Sequence, residues 1–250
     1  MKKTIFITGA TSGIGKATAE VFAKQGHRLI ICGRRKEVLD NLQIQLSNFT
    51  DVYSLVFDVR NQQEVQNAIN SLPEDWKNID VLVNNAGNAH GLEPISDANI
   101  SDWDAMMDGN VKGLLYVSQP IIKLMKANNS GHIVNISSVA ARQTYANGTV
   151  YCASKKAVDV ISEGMRLELT EFGIKVTNVQ PGAVETDFSK VRFKGDEERA
   201  ATVYAGYEPL IAEDIADAIS YCVNAPDRVS IAELCIYPKA QVEPRTIFRK

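Results

Sequence analysis

The sequence predicts an α/β fold, with one doubly wound parallel sheet of about seven strands and helices on both faces. Short apolar runs alternate along the chain with longer stretches in which apolar residues recur at helical spacing. Most of these runs are continuously apolar, which is typical of parallel strands that are buried on both faces. Most of them also end in glycine, aspartate, asparagine, serine or proline, the residue types that form turns.

Each predicted strand rests on an apolar run and on the residue that closes it. The first run leads into a glycine-rich turn, and the second is closed by Gly33. Asp58 closes the third run, and Pro181 stops the sixth. The predicted strands are Thr4–Ile7, Arg28–Cys32, Val52–Phe57, Asp80–Asn84, His132–Ile136, Lys175–Val179 and Glu233–Tyr237.

The helices are predicted from apolar spacing and from residues that can cap a helix N-terminus. Asn61 and Ser101 are the expected N-caps of the third and fourth helices, because a short polar side chain accepts a free main-chain N–H there. Pro120 is expected to kink the fourth helix, since proline removes a main-chain hydrogen bond. The predicted helices are Lys16–Gln25, Glu37–Leu46, Asn61–Ser71, Ser101–Asn128, Tyr151–Phe172 and Glu213–Val223.

No linker, repeat or low-complexity segment divides the 250 residues, so we expect one domain over residues 1–250. Within this domain, the polar stretch around residues 187–207 is expected to form a substrate lid, and residues 238–250 an irregular tail. The net charge is −3 and no long basic block occurs, which argues against nucleic acid or an anionic membrane as a partner.

The cysteines and the apolar runs indicate where the protein works. The four cysteines stand far apart without a CxxC pair, which predicts free thiols in a reducing compartment, with neither disulfides nor a metal site. No apolar run has the length of a signal-peptide core or of a membrane span. We therefore expect a soluble, cytoplasmic protein.

The stretch from Thr8 to Gly15 combines a strand end, a turn with the spacing G-x-x-x-G-x-G and the start of a helix. Main-chain N–H groups point outward at such a helix N-terminus, and the helix dipole favours negative charge. Glycine lets the main chain approach a pyrophosphate without a Cβ in the way. The stretch predicts a dinucleotide site of Rossmann type, and an ordinary glycine-rich turn is the alternative.

The end of the second predicted strand indicates which dinucleotide is bound. A site for NAD places a carboxylate there to bind the ribose 2′-hydroxyl. This chain has Gly33, Arg34 and Arg35 instead, and a guanidinium suits a 2′-phosphate, which favours NADP. The alternative is that both arginines are solvated charges at the start of the next helix. Asp58 either accepts a hydrogen bond from the adenine amine or only terminates its strand.

Tyr151 and Lys155 stand one helical turn apart on the fifth predicted helix, so their side chains share a face. A neighbouring ammonium lowers the pKa of a phenol, which can then exchange a proton with a carbonyl or alcohol oxygen. Ser138, which follows the fifth strand, is either a hydrogen-bond donor to the same oxygen or a turn serine. Asn110 lies in the fourth helix, where asparagine is disfavoured. It either holds a water near Lys155 or bonds a helix carbonyl.

Taken in order, these motifs resemble the short-chain dehydrogenase/reductase family over almost the whole chain. The matching motifs are Thr8-Gly9-x-x-x-Gly13-Ile14-Gly15, Asn84-Asn85-Ala86-Gly87, Asn110, Ser138, Tyr151-x-x-x-Lys155 and Pro181-Gly182. The resemblance implies hydride transfer between a nicotinamide and a carbon that bears OH or C=O, without a metal. It implies that Tyr151 is the acid/base and that Lys155 binds the nicotinamide ribose and lowers the tyrosine pKa. Ser138 would polarise the substrate oxygen, and Asn110 would support a water relay.

The resemblance also implies which residues contact the cofactor, including the loop from Pro181 to Ser189, with Thr186 near the nicotinamide amide. The residues expected at the cofactor are Gly9, Ala10, Thr11, Ser12, Gly13, Ile14, Arg34, Arg35, Asp58, Val59, Asn85, Ala86, Gly87, Tyr151, Lys155, Pro181, Gly182, Val184 and Thr186. Those expected at the substrate are Ser138, Tyr151 and Arg192. The resemblance to this family also implies a homo-oligomer, which is commonly a tetramer.

Three segments resemble one branch of the family, the NADP-dependent 3-hydroxy acid dehydrogenases. They are Leu72–Asp80, Glu93-Pro94 and Val191–Asp196. The branch includes enzymes that oxidise serine, allo-threonine and 3-hydroxyisobutyrate-like acids. The resemblance implies a small-molecule hydroxy acid as substrate.

Such a substrate carries a carboxylate, which needs a basic partner. Arg192 and Lys194 lie in the predicted lid, and Arg142 and Gln143 lie between Ser138 and Tyr151; these are the candidates. The alternative is that the lid charges are solvated. Glu185 would oppose an acidic substrate if its side chain faced the pocket.

Two other functions remain open at this point. A reductase of a 3-oxoacyl thioester or of a sugar or steroid ketone would keep the same chemistry but would need a larger, apolar pocket. A non-catalytic dinucleotide-binding regulator would be expected to have lost Tyr151 or Lys155, and this chain keeps both.

Overall fold

A computed structural model of the protein describes residues 2–250. The strands are β1 (Thr4–Ile7), β2 (Arg28–Gly33), β3 (Val52–Val56), β4 (Val81–Asn84), β5 (Gly131–Ile136), β6 (Ile174–Pro181) and β7 (Glu233–Ile236). They form one sheet in the order β3-β2-β1-β4-β5-β6-β7, and all neighbouring strands are parallel. The predicted α/β fold with a parallel sheet is confirmed.

Helices cover both faces of this sheet. They are α1 (Gly13–Lys24), α2 (Lys36–Leu46), α3 (Gln62–Asn70), α4 (Ile100–Met107), α5 (Gly113–Ala127), α6 (Thr149–Leu169), α7 (Phe188–Arg192), α8 (Glu197–Thr202) and α9 (Ala212–Asn224). Along β1, Ile5 and Ile7 point to the face covered by α1, α2 and α9. Phe6 points to the other face, covered by α3, α5 and α6, as the two-residue period of a strand requires. No helix in residues 2–250 is both long enough and apolar enough to span a bilayer.

The long helix predicted from Ser101 to Asn128 is two helices, α4 and α5, joined by a π-helical turn over Asp108–Lys112. The predicted N-cap, Ser101, was wrong. Asn99 caps α4, because its side-chain carbonyl accepts the main-chain N–H of Ser101 at 3.0 Å. Pro120 lies inside α5, which continues to Ala127. The break in the predicted helix is therefore the π-helical turn.

The other differences are at element ends and in the C-terminal part of the chain. The predicted lid contains two short helices, α7 and α8, and the tail holds one isolated antiparallel bridge, between Gln241 and Ile247. Asn61 caps α3 as predicted, because its side chain accepts the main-chain N–H groups of Gln63 and Glu64. The four cysteines are free thiols, also as predicted.

The strand order reverses between β1 and β4, and the loops that follow these two strands are tied together by Thr8. The Thr8 hydroxyl accepts the main-chain N–H groups of Asn85 and Ala86, both at 2.9 Å, and lies 3.3 Å from the carbonyl of Val83. In return, the Asn85 amide donates to the carbonyls of Thr8 and Gly9 at 2.9 and 3.2 Å. Ligands bind at this reversal point in doubly wound sheets, so the tie fixes the floor of the expected site.

Replacing Thr8 with valine should destabilise the fold, because valine has the shape of threonine but leaves the main-chain N–H of Ala86 without an acceptor and that of Asn85 with only the carbonyl of Val83, at 3.1 Å. A buried donor left unpaired costs about 1–3 kcal/mol. We expect Thr8→Val to lower the midpoint of urea denaturation clearly, and Thr8→Ser, which keeps the hydroxyl, to retain most of the stability. Equal midpoints for the two variants would show that the hydroxyl does not carry the tie.

Candidate active site

A cavity of about 1030 Å³ lies along the carboxyl ends of the strands and contains most of the predicted site residues. The predicted residues that line it are Gly9, Thr11, Ser12, Gly13, Ile14, Arg34, Arg35, Asp58, Val59, Asn85, Ala86, Gly87, Ser138, Tyr151, Lys155, Pro181, Gly182, Val184, Thr186 and Arg192. Ala10 and Asn110 are not in this lining. The N–H of Ala10 donates to the carbonyl of Cys32 at 3.0 Å, and the side chain of Asn110 is buried.

The glycine-rich turn is built so that main chain, not side chains, faces the cavity. Gly9 and Gly13 have φ values of +65° and +52°, which glycine adopts readily. A Cβ at Gly15 would lie 2.4 Å from both the Asn85 amide nitrogen and the Gly9 carbonyl oxygen. No side chain caps the N-terminus of α1, so its first N–H groups are open to an anion. The turn has the shape that a pyrophosphate requires.

The end of β2 forms a cationic corner of the cavity. Arg35 donates to the Thr11 hydroxyl at 2.9 Å, and Arg34 lies 3.6 Å from Asp58. A Cβ at Gly33 would lie 2.7 Å from the Thr11 methyl group, so glycine leaves room for Thr11 there. Both carboxylate oxygens of Asp58 are held by Arg60, which lowers the pKa of Asp58 despite its burial. Asp58 is therefore engaged by protein groups in this structure.

Tyr151 and Lys155 are buried on one face of α6, at 8% and 6% exposure. Burial raises the pKa of the Tyr151 phenol and the neighbouring Tyr145 raises it further, whereas Ser138 and Arg192 lower it. The Lys155 ammonium donates to the main-chain carbonyl of Ile136 at 3.0 Å. The groups that favour the phenolate in this structure are thus a hydroxyl and a guanidinium, the second of which comes from the lid.

A partly buried carboxylate, Asp159, follows Lys155 by one more turn of α6. It accepts hydrogen bonds from Ser137 at 2.7 Å, Asn178 at 2.7 Å and Gln180 at 3.1 Å. Burial lowers the pKa of Lys155 to about 8, and the charge of Asp159 opposes this shift. Asp159 is a positioning residue, because it acts on the reaction centre through Lys155. The sequence analysis did not identify it, although it continues the helical spacing of Tyr151 and Lys155.

Asn110 lies in the π-helical turn and joins the loop after β4 to α6. Its side-chain amide donates to the carbonyl of Asn88 at 2.8 Å and to the Ser154 hydroxyl at 3.0 Å, and its oxygen accepts the N–H of Asn88 at 2.7 Å. A Cβ at Gly87 would lie 2.9 Å from that oxygen and 3.3 Å from the Lys155 nitrogen. Both the amide and the oxygen of Asn110 thus bond protein groups, and they hold the loop after β4 close to Lys155. π-Helical turns commonly occur at functional sites.

The segment predicted as a lid, residues 187–207, lines the other end of the cavity and places Arg192 beside Tyr151. The Arg192 guanidinium carbon is 5.5 Å from the Tyr151 ring centroid, and its two terminal nitrogens donate to the Tyr145 hydroxyl at 3.3 Å. Its Nε donates to the carbonyl of Gly91 at 3.1 Å. Within residues 2–250, no carboxylate lies within ion-pair distance of Arg192. A positive charge therefore faces the space in front of Tyr151.

The other candidates for the substrate carboxylate lie elsewhere. Lys194 pairs with Asp102 at 2.9 Å, and Arg142 donates to Gln180 at 2.9 Å; neither lines the cavity. Gln143 and Glu185 are exposed and are also outside its lining. Glu185 therefore does not oppose an acidic ligand there.

Sequence reasoning missed the wall of this end of the cavity. The missed residues are Tyr145, Phe188, Tyr204, Tyr207, Arg245 and Arg249. Tyr145 lies between Ser138 and Tyr151, and its position in that loop was a usable signal. Phe188 lies in the loop Pro181–Ser189, which was expected at the cofactor, but it was not named. The others come from the end of the lid and from the tail, where no apolar period was found.

A phenol and an ammonium on one helix face, beside a glycine-rich cradle for a dinucleotide, define an oxidoreductase that acts on CH–OH groups. The chain belongs to the short-chain dehydrogenase family, whose family model matches residues 3–197.

Its relatives are dehydrogenases of the same size. The NADP-dependent 3-hydroxy acid dehydrogenase YdfG of Escherichia coli O6:H1 is 41% identical over 238 residues, which cover 95% of each protein. The NADP-dependent 3-hydroxy acid dehydrogenase of Schizosaccharomyces pombe is 38% identical over 99% of this chain and 97% of that protein. A solved structure of the closed form of serine dehydrogenase complexed with NADP+ has a TM-score of 0.93, with 39% identity and 99% of both chains covered.

Neutralising Asp159 should lower the pKa of Lys155, because a nearby carboxylate favours the ammonium. We expect Lys155 to act as the ammonium, so the rate should fall as the pH rises through its pKa. We expect the alkaline limb of kcat/KM for carbonyl reduction to move to lower pH in Asp159→Asn, by about one unit.

Glu163→Gln is the matched control, because Glu163 is one turn further along α6 and exposed. Its alkaline limb should stay where the wild-type limb is. A loss of rate in Asp159→Asn at every pH, with no movement of the limb, would mean that Asp159 only supports the fold.

Proposed function

We propose that the protein is an NADP-dependent dehydrogenase of small 3-hydroxy acids, such as serine, allo-threonine and 3-hydroxyisobutyrate-like acids. The observation that carries this proposal is the place of Arg192. Its guanidinium lies over the Tyr151 ring and has no carboxylate partner within residues 2–250. An acid whose hydroxyl reaches Tyr151 would place its carboxylate at this cation. The names of the relatives from Escherichia coli and Schizosaccharomyces pombe support the same substrate class.

The residues of the cavity fit NADP. The glycine-rich turn and the open N-terminus of α1 would hold the pyrophosphate, and Arg34 and Arg35 would hold the 2′-phosphate. Lys155 would bind the nicotinamide ribose, and Thr186, whose side chain is 3.4 Å from where a Cβ of Gly13 would be, would lie near the nicotinamide amide. The bound cofactor would supply the acceptor or donor of a hydride.

The chain's own residues would move the proton and fix the substrate. Tyr151 would take the hydroxyl proton during oxidation and return it during reduction. Ser138 would donate a hydrogen bond to the same substrate oxygen. Lys155, held by the carbonyl of Ile136 and supported by Asp159, would keep a positive charge beneath the site. Asn110 would support the water relay by holding the loop after β4 against α6, as its hydrogen bonds to Asn88 and Ser154 indicate.

The cationic lid favours a small acid over the alternatives. A sugar or steroid ketone has no charge to pair with Arg192. Binding such a ketone would leave the Arg192 cation without a counter-charge, which costs free energy. A non-catalytic regulator has no need of a buried phenol and ammonium side by side. Tyr151 and Lys155 are both buried here, and burial makes the charged form of each side chain costly in free energy.

We also infer a cytoplasmic homotetramer. The four free cysteines support a reducing compartment. Leu115 on α5 and Val160 and Leu167 on α6 are exposed apolar residues on helices that cover one face of the sheet, which supports burial between subunits. Light scattering at working concentration tests the subunit count.

Arg35→Gln should weaken NADPH much more than NADH, because only NADPH has the 2′-phosphate. Loss of one charge-assisted contact predicts a rise in the NADPH Kd of about 10- to 100-fold. Titration of nucleotide fluorescence gives both constants. Lys36→Gln, in the next residue and exposed, is the control and should leave both Kd values as they are. An equal loss for the two nucleotides would contradict the assignment of NADP.

Arg192→Gln should raise KM for 3-hydroxy acids by about 10- to 100-fold, because the substrate carboxylate loses its charged partner. Initial rates with serine, 3-hydroxybutyrate and the uncharged analogue 1,3-butanediol test this, with absorbance of NADPH as the readout. The rise in KM should be confined to the two acids, whereas a lower kcat is expected for all three substrates because Arg192 favours the Tyr151 phenolate. Lys190→Gln, two residues earlier and outside the cavity lining, is the control, and Tyr151→Phe gives the blank. Activity of the wild type on bulky ketones alone would overturn the proposal.

A further inference from the structure

The tail of the chain forms part of the cavity wall, beside the lid. Pro244, Arg245, Ile247 and Arg249 line the cavity, although the family model matches only residues 3–197. The tail is attached to the lid segment, because Arg249 donates to the carbonyl of Val203 at 3.1 Å and the N–H of Lys250 donates to that of Gly206 at 2.7 Å. This part of the wall therefore lies outside the residues that the family model matches.

Most arginines of the cavity have a partner, either within the protein or in the proposed ligands. The arginines that line it are Arg34, Arg35, Arg60, Arg192, Arg199, Arg245 and Arg249. Arg34 and Arg60 pair with Asp58, and Arg199 pairs with Glu93 at 3.7 Å. Arg35 faces the place of the 2′-phosphate.

Arg245 is the exception. Arg249 donates to main-chain carbonyls of the lid, and Arg192 is the proposed partner of the substrate carboxylate. Across residues 2–250, no carboxylate lies within ion-pair distance of the Arg245 guanidinium, and no acceptor takes a hydrogen bond from it. The group packs instead on the ring of Tyr145, whose centroid is 5.2 Å from the guanidinium carbon. A cation is attracted to the face of an aromatic ring. All of its N–H donors are therefore free for a ligand.

Tyr145 places Arg192 and Arg245 relative to each other. The Arg192 carbon is 5.9 Å from the same ring centroid, at the hydroxyl end, where its nitrogens contact the phenol oxygen. The ring itself is fixed, since a Cβ at Gly148 would overlap it. The two guanidinium carbons thus both lie within 6 Å of the centroid of one ring.

We propose that Arg192 and Arg245 form a double anion site, which accepts 3-hydroxy acids that carry a second carboxylate on the other side of the hydroxyl-bearing carbon. 3-Hydroxyglutarate is the simplest member of this class. The inference rests on the proposed function, in which Arg192 binds the first carboxylate. Two guanidinium groups in one cavity repel each other, and a dianion removes this repulsion, whereas a mono-acid compensates only one of the charges.

The reaction is the proposed one with a different substrate. The C3–H bond breaks and its hydride reduces NADP+ to NADPH, while the hydroxyl proton passes to the Tyr151 phenolate. The product is 3-oxoglutarate, and Tyr151 returns the proton to solvent. No further oxidant is needed.

The test compares two substrates that differ only in the second carboxylate, 3-hydroxyglutarate and 3-hydroxybutyrate, with NADP+. We expect the wild type to oxidise both, and the ratio of their kcat/KM values to fall by about 10-fold or more in Arg245→Gln, as expected for a lost charged contact. Arg245→Lys should keep most of the ratio. Arg228→Gln, an exposed arginine outside the cavity lining, should leave it as it is. The ratio does not depend on the fraction of folded enzyme.

A binding experiment without turnover separates recognition from chemistry. Glutarate and butyrate have no hydroxyl, and calorimetric titration into the enzyme–NADP+ complex should show glutarate binding tighter, with the difference lost in Arg245→Gln. An unchanged ratio and an unchanged glutarate affinity in Arg245→Gln would overturn the double site, as would equal losses for both acids. Wild-type turnover of 3-hydroxybutyrate without that of 3-hydroxyglutarate would overturn this inference alone. Failure on all hydroxy acids would overturn the proposed function.

Discussion

The helical spacing of α6 is the constraint on which the site depends. Residues one turn apart share a face of the helix, and Tyr151, Lys155 and Asp159 follow each other at this spacing. Tyr151 faces the cavity, and Lys155 donates to the carbonyl of Ile136. Asp159 contacts the polar residues at the ends of β5 and β6. Burial raises the pKa of the phenol and lowers that of the ammonium, so both charged forms are disfavoured until a partner stabilises them. The Asp159 carboxylate accepts three hydrogen bonds, which fix its position on the helix face.

The sequence predicted the fold and the chemistry well because both depend on local patterns. Continuous apolar runs require a sheet covered on both faces, and the glycine-rich turn, the end of β2 and the Tyr151–Lys155 pair each lie within a few residues. The structure brings these motifs to one cavity because parallel strands end at one edge of the sheet. The π-helical turn was not predicted, and the contacts that Asn110 makes from it, to Asn88 and Ser154, join segments far apart in the sequence. Asn99, by contrast, caps α4 through a local contact with Ser101, and the sequence offered both residue types as caps.

The substrate end was predicted only in part. Arg192 was one of several candidate bases in the sequence, and only its contacts with Gly91 and Tyr145 single it out. The tail has no periodicity, so nothing in its residues indicated that Arg245 packs on Tyr145, far away in the chain. Contacts of this kind depend on how separate segments meet, and a pattern within one segment does not contain that information. Arg142 and Lys194 have the right chemistry but pair with other protein groups.

This division of the site has a physical consequence for specificity. The groups that would hold the cofactor and move the proton lie on strand ends and on α6, where buried contacts keep them in place. The groups that face the rest of the substrate lie on α7, α8 and the tail. These segments have few buried side chains and are held by ion pairs, by hydrogen bonds and by the packing of Phe188 on Tyr151. Segments with few buried contacts open at lower free energy than a core helix such as α6. A ligand that pairs with both Arg192 and Arg245 would therefore stabilise the closed position of the lid as well as bind. A ligand without charge would leave the repulsion between the two cations uncompensated.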